Sequence, residues 1–286
     1  MTDPLTWQFW QQWTTTARPS HTLLSLLHSG QLALFPELAA LHETPQDPHW
    51  HPEGDVWVHT LHVCDQAAII SQRDGLSSQQ QEELLLAALC HDLGKPATTV
   101  FEQGRWKAPG HPAAGVPVAT QLLKKIQAPP QLIDTILPLV AEHLVHASPA
   151  LSHKASHRLL TRLHPAPVTQ LIRLIEADLS GRPPLPTGLT PAVQQFAQQI
   201  LTIAANNPYQ PPPPKTPPLI LGRHLIALGY QPAPWFKQVL ETCETAQQQG
   251  KFQDEARGLA WLRQLMETSP PAQLPPSTPP SALPPQ

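Results

Sequence analysis

The sequence predicts an all-α protein, and three observations predict it. Apolar residues recur at three- and four-residue spacings in one segment after another, the period of a helix with one buried face. Runs of alternating β-branched residues are few, and no Asn-Gly pair marks a tight hairpin. Glycine and proline gather at segment ends, where they stop helices.

Taken in order, "TWQFWQQW" (6–13) puts three tryptophans in one short helix-like segment. Core packing is the expectation, with a partner surface as the alternative. In "TLHVCDQAAIISQ" (60–72) the apolar residues Leu61, Cys64, Ala68 and Ile69 keep the helical spacing. "EELLLAALCHDLG" (82–94) is apolar nearly all round, which predicts a central helix. Gly94 is expected to give it a left-handed cap, and Pro96 to prevent its continuation. "HPAAGVPVATQLLKKI" (111–126) carries proline just inside its start, as helices tolerate. "QLIDTILPLVAEHLVHA" (131–147) contains Pro138, where a kink or break is expected. "PVTQLIRLIEADLSGRPP" (167–184) stops at Gly181 with two prolines beyond.

These segments divide into an N-terminal helical segment over 1–45 and a main helical domain over 46–206. "NPYQPPPPKTPP" (207–218) cannot be helix or central strand and is expected to be an extended polyproline linker. A small C-terminal helical module follows over 219–268. Its stripes are Phe236, Val239, Leu240 and Cys243, then Leu259, Leu262 and Met266. The last stretch, 269–286, is proline with small polar residues and is expected to be a disordered tail.

Composition narrows the function classes. The chain has 286 residues, 41% hydrophobic and 14% charged, with a net charge of −3. It therefore carries no global basic field to draw in nucleic acid, and any phosphate site must be local. Its three cysteines (Cys64, Cys90, Cys243) are odd in number and far apart, so no disulfide framework or CxxC metal knuckle is expected. Buried thiols in a reducing cytoplasm are the expectation. No leader-like opening and no membrane-length apolar run is present, which predicts a soluble cytoplasmic protein.

The unusual feature is "CHDLGKP", a histidine and an aspartate at the end of the most hydrophobic helix. Neighbours on a helix point about 100° apart, yet in its last turn both can reach a ligand just beyond the end. That end carries partial negative charge and favours a cation. Burying a carboxylate in apolar surroundings costs several kcal/mol unless a metal or a strong partner compensates. A capping carboxylate beside a core histidine is the alternative for His91 and Asp92.

Other residues reinforce the metal reading. His59 lies in the opening turns of the preceding helix. Asp178 falls on an apolar helix face, seven residues after Leu171 and three after Ile175, with Arg173 or Arg182 as alternative partners. His143 is also inward, four residues after Leu139, unless it is a satisfied core histidine. His111 sits at a helix start beside a glycine turn, where a plain loop histidine is the alternative. Imidazole and carboxylate ligands suit Zn²⁺, Ni²⁺, Mn²⁺, Fe²⁺, Co²⁺ or Mg²⁺ alike. Water on such an ion is activated near neutral pH and can attack phosphorus. Lys95 could meet a phosphate oxygen as a point charge, or could be a solvated lysine.

The pattern His59…His91-Asp92…Asp178 on helices resembles the HD-domain metal-dependent phosphohydrolases. Five blocks, "WHPEGDVWVHTLHVCDQAA", "LAALCHDLGKPATT", "GHPAAGVPVATQLLKKI", "LVAEHLVHA" and "IEADLSGRP", are similar to the HD domain of bacterial CCA-adding tRNA nucleotidyltransferases. "PLILGRHLIALGYQPAPWFKQVLETCETAQQQGKF" resembles that family's C-terminal segment, which helps hold the tRNA body. The resemblance implies that 46–206 is an HD domain with His59, His91, Asp92 and Asp178 as metal ligands. It implies a second metal or a phosphate at His111 and His143, and with the phosphate reading of Lys95 the expected catalytic residues are Asp92 and Lys95. The departure is that the family's nucleotide-adding head needs an Asp-x-Asp pair, and none occurs here. Nucleotide addition is therefore not expected from this chain.

Two functions follow as expectations. One is a divalent-metal-dependent phosphohydrolase, of phosphatase or 2′,3′-cyclic phosphodiesterase type, acting on a nucleotide or RNA-end phosphate. The other is a non-catalytic module that binds RNA or tRNA, or serves a separate nucleotidyltransferase head.

Overall fold

Capping residues set where the main helices begin. In the computed structural model, which describes residues 3–147, 152–206 and 217–268, contacts divide the chain into Met1–Tyr209 and Gln210–Gln286. The tail at 269–286 and all of the expected linker except Pro217 and Pro218 lie outside the described residues.

The first unit opens with α1 (Trp7–Thr14), α2 (Pro19–His28) and α3 (Pro36–Ala39). Trp10 and Trp13 are buried, and their indoles donate to the carbonyls of Pro4 and Pro19 at 2.8 and 3.0 Å. The N-terminal segment thus joins the same core as the helices that follow. Asp55 caps α4 (Val56–Arg73) by accepting from the Val58 amide. Ser77 and Gln80 form a reciprocal box at the start of α5 (Ser78–Cys90). Every residue from Leu84 to Cys90 is buried, and α5 packs against α1, α4 and two later helices. It is the central helix that its sequence predicts.

Beyond α5 come a single turn of helix, α6 (Lys95–Thr98), and a hairpin of β1 (Val100–Glu102) and β2 (Arg105–Lys107). The hairpin has no Asn-Gly signal because Gln103 and Gly104 make its turn, at φ 52° and 75°. Two positive φ values are the requirement of a type I′ turn, and Gln meets it less readily than Asn. The rest of the first unit is α7 (His111–Lys125), α8 (Pro130–Glu142), α9 (His153–Leu163), α10 (Val168–Ser180) and α11 (Pro191–Asn206). The expected break at Pro138 does not occur, since α8 runs through it to Glu142. Ile136, Leu139 and Val140 beside it are fully buried, and that packing outweighs one lost backbone hydrogen bond.

Two glycines bring helices closer than other residues permit. Gly94 is right-handed, at φ −85°, so it is not the left-handed cap the sequence suggests. A Cβ there would stand 2.1 Å from the His111 carbonyl oxygen and 2.5 Å from the Gly115 nitrogen. Gly94 thus lets the end of α5 press on the start of α7. Gly181, after α10, lies close to α4, where a Cβ would meet Val63 Cγ2 at 2.5 Å and the Val63 nitrogen at 2.9 Å.

The second unit comprises α12 (Gly222–Ala227), α13 (Trp235–Gln248) and α14 (Glu255–Thr268) around its own small core. Val239, Cys243, Leu262 and Met266 are buried there, and Phe236, Leu240 and Leu259 pack against them half-buried. All three cysteines are free and buried, and burial pushes their thiols up, Cys243 to about 11. No helix among the described residues is long and apolar enough to cross a membrane.

Candidate metal centre

Five helices each send one or two polar side chains to a single point in the apolar core. His59 comes from the first turn of α4, and His91 and Asp92 from the turn that closes α5. His111 is the first residue of α7, and His143 follows the last residue of α8. Asp178 comes from the final turn of α10. All six are buried.

The outer nitrogen of each ring fixes its tautomer. Nδ1 of His91 lies 2.8 Å from the Ala88 carbonyl, that of His111 2.8 Å from Ala108, and that of His143 2.7 Å from Val140. Nδ1 of His59 faces Glu53 Oε1 at 2.8 Å and the Gly181 carbonyl at 3.3 Å. All these partners only accept, so each Nδ1 carries the proton and donates it. In the neutral ring, each Nε2 is then left with a lone pair, and all four turn inward.

Inside, the Nε2 atoms of His59 and His91 are 3.4 Å apart, and those of His111 and His143 are 3.2 Å apart. Lone pairs facing each other at that range repel unless a proton or a cation stands between them. Asp92 divides its carboxylate between the two pairs. Oδ2 lies 3.1 Å from His91 Nε2 and 3.7 Å from His59 Nε2. Oδ1 lies 3.1 Å from His111 Nε2 and 3.9 Å from His143 Nε2. Asp178 Oδ1 completes the first pair, 3.1 Å from His59 Nε2. Donor atoms of His59, His91 and Asp178 fall within 4.8 Å of one another, as do those of Asp92, His111 and His143.

This donor set fits a divalent ion. Neutral imidazole and ionised carboxylate are the ligand types such ions take. Asp92 Oδ2 is buried without a hydrogen bond, since Lys95 Nζ, 2.8 Å away, is out of alignment with it. The Lys95 ammonium already balances that oxygen's charge, so the fit to an ion rests on the four inward Nε2 lone pairs and the two carboxylates among them.

The electrostatics hold Asp92, Asp178 and His143 in their binding forms, whereas His59 is drawn toward its protonated form, so a proton competes with an ion at its Nε2. Burial raises the carboxyl of Asp92, but His91 and Lys95 outweigh it and hold Asp92 well below the usual carboxylate range. Asp178 is likewise depressed, with Arg182 and His59 overcoming its burial. Burial drives His143 down to about 3, so it is neutral and its Nε2 is free to bind. Burial lowers His59 too, but Asp178 and Glu53 on its two nitrogens outweigh it and raise its pKa.

Every site residue expected from the sequence meets here, including Lys95. That lysine is buried rather than solvated, and its Nζ donates to Gln46 Oε1 at 2.6 Å. The alternative partner of Asp178 is present as well. Arg182 Nη2 lies 2.6 Å from Asp178 Oδ1, whereas Arg173 pairs with Asp74. Asp178 therefore serves both the arginine and the histidine cluster. A cavity of about 250 Å³ opens on the cluster, lined among others by Asp92, Lys95, His111, His143, Asp178 and Arg182.

Two residues escape a reading of the sequence alone, Glu53 and His51. They form a third group with His59, in a loop whose composition and spacing carry no periodic signal. His51 Nδ1 lies 2.9 Å from Glu53 Oε1. Burial pushes the Glu53 carboxyl up, but hydrogen bonds from His51 and His59 prevail and hold it at about 2. Glu53 is thus an ionised outer partner that orients His59.

Residues 56–179 match the HD domain family. The matched span starts just before His59 and ends just after Asp178, so it contains all six clustered residues. The match supports a metal-dependent phosphohydrolase domain that binds divalent ions and acts on a phosphate-bearing substrate. Glu53, His51 and Arg182 lie outside it.

Proposed function

We propose that, with an HD domain over 56–179, this chain is a divalent-metal-dependent phosphatase or 2′,3′-cyclic phosphodiesterase acting on a nucleotide or RNA-end phosphate. The observation that carries the reading is the convergence of four inward Nε2 atoms on one shared carboxylate, Asp92. His59, His91, Asp92 and Asp178 would hold one ion. His111 and His143, on the other oxygen of Asp92, would hold a second ion or a phosphate. A divalent ion there supplies polarisation of a phosphoryl oxygen and activation of water. Lys95 and Arg182 line the same cavity and put positive charge where phosphate oxygens enter. A partnership with tRNA rests on the sequence resemblance alone.

The test is metal analysis of the purified chain with an assay on a panel of phosphate esters that includes 2′,3′-cyclic nucleotides. Mn²⁺, Ni²⁺, Co²⁺ and Mg²⁺ are compared. Hydrolysis is expected to stop on chelation and return with added metal. Turnover that survives complete metal removal would refute the reading.

Glu53→Ala leaves the proposed ligands in place but frees the His59 ring. It is expected to weaken metal binding about 10–100-fold, the usual effect of losing an outer partner of a ligating histidine. Equilibrium dialysis with Mn²⁺ measures this, and an unchanged Kd would remove Glu53 from the site.

A further inference from the structure

We propose that the exposed hairpin and the loop facing it form a base-stacking subsite, which holds the nucleobase of a mononucleotide while its phosphate enters the metal-centre cavity. The phosphate's place rests on the hydrolase reading above.

The motive is three large rings left in water around one groove. Phe101 is 60% exposed, Trp106 36% and Trp50 57%. Phe101 and Trp106 are directly opposed on β1 and β2, so they share a face of the hairpin, with ring centroids 4.9 Å apart. Trp50 stands on the 47–50 loop across from them, and together they line a groove of about 530 Å³. That is the size range of a small-molecule site.

Hairpin stability accounts for the contact between Phe101 and Trp106, because a lone two-stranded hairpin is marginal. It does not account for Trp50, nor for where the groove leads. The groove and the metal-centre cavity share Asp47, Trp50 and Trp106 in their linings, so the two adjoin. The cavity side carries the cations of Lys95, Lys107 and Arg182. A ligand that satisfies both ends has a flat π-face at one end and an anion at the other. A nucleotide has that form, and stacking accepts any base. Ribose phosphates and aliphatic esters have no flat aromatic ring for the groove. The net charge of −3 favours a mononucleotide over a long RNA strand.

The test is isothermal titration calorimetry of the full chain in EDTA, which halts metal-dependent turnover. The ligands are adenosine 5′-monophosphate, ribose 5-phosphate and the trinucleotide ApApA. Adenosine monophosphate is expected to bind roughly tenfold more tightly than ribose 5-phosphate, the scale of one base stacked on aromatic rings. The double variant Phe101→Ala/Trp106→Ala is expected to lose that preference, and Trp50→Ala to reduce it. These residues are exposed, so the helical core is not at stake, and Trp50→Ala, outside the hairpin, reads the stacking without loosening the Phe101–Trp106 pair. Equal affinity for the two monophosphates, including no measurable binding of either, would overturn the subsite. So would an undiminished preference in the double variant, or ApApA binding more tightly than the mononucleotide. Turnover is assayed separately with metal. A base preference without turnover supports the subsite and removes the hydrolase, and turnover without a base preference does the reverse.

Discussion

Asp92→Ala is expected to abolish hydrolysis while leaving the helical circular dichroism intact. Asp92 is the one residue whose two oxygens face both histidine pairs, so its loss removes a donor from each proposed binding group. An ion's charge stabilisation is worth several kcal/mol, which corresponds to at least about 10³-fold in rate. The fold is expected to survive because Asp92 lies in the turn after α5 without apolar packing, and the buried Lys95 it leaves keeps Gln46 Oε1 at 2.6 Å as a partner. Turnover within tenfold of the unaltered chain, at full metal, would dismiss the assigned site.

Asp178→Ala is expected to damage two properties that can be separated. Arg182 is 15% exposed and its guanidinium lies 2.6 Å from Asp178 Oδ1. Its Nε is already buried without a partner. Removing the carboxylate strands that charge, and breaking such a buried pair costs about 3 kcal/mol or more. Urea denaturation reads this as a lower midpoint. Adding Arg182→Met removes the stranded charge, so the double variant is expected to recover stability. Turnover is expected to stay lost in both, because His59 has lost its inner carboxylate. A single variant that is destabilised but fully active would reduce Asp178 to a partner of Arg182.

Much of this was legible before any coordinates. The all-round apolar run of α5 predicts its central place, and it packs against four other helices. Asp178 and His143 stand on apolar faces at helical spacing, so periodicity alone turns them inward. The signals that failed were those that depend on distance. Glu53 reaches His59 because its loop folds back over the start of α4, and no periodicity records that. The hairpin is three residues a side and exposed throughout, so it carries no alternation of apolar and polar residues. Pro138 was legible as a residue that breaks helices, but that the packing of Ile136, Leu139 and Val140 would override it was not. Gly94 was legible as a glycine that matters, for the wrong reason. Its φ is ordinary, and what it provides is room.

That room has an evolutionary consequence. Gly94 lies two residues after Asp92, and the backbone it touches belongs to His111 and to Gly115 in the same turn of α7. Gly115 faces it in return, with a Cβ there 3.2 Å from the Gly94 nitrogen. Any side chain at Gly94 therefore separates the two strands of backbone that carry one shared carboxylate and its histidine. Selection for a stable core and selection for a working centre act on the same two atoms' width. Among descendants of this chain, drift should be slowest at Gly94, and a lineage that abandons the chemistry should still keep the glycine for as long as it keeps the fold.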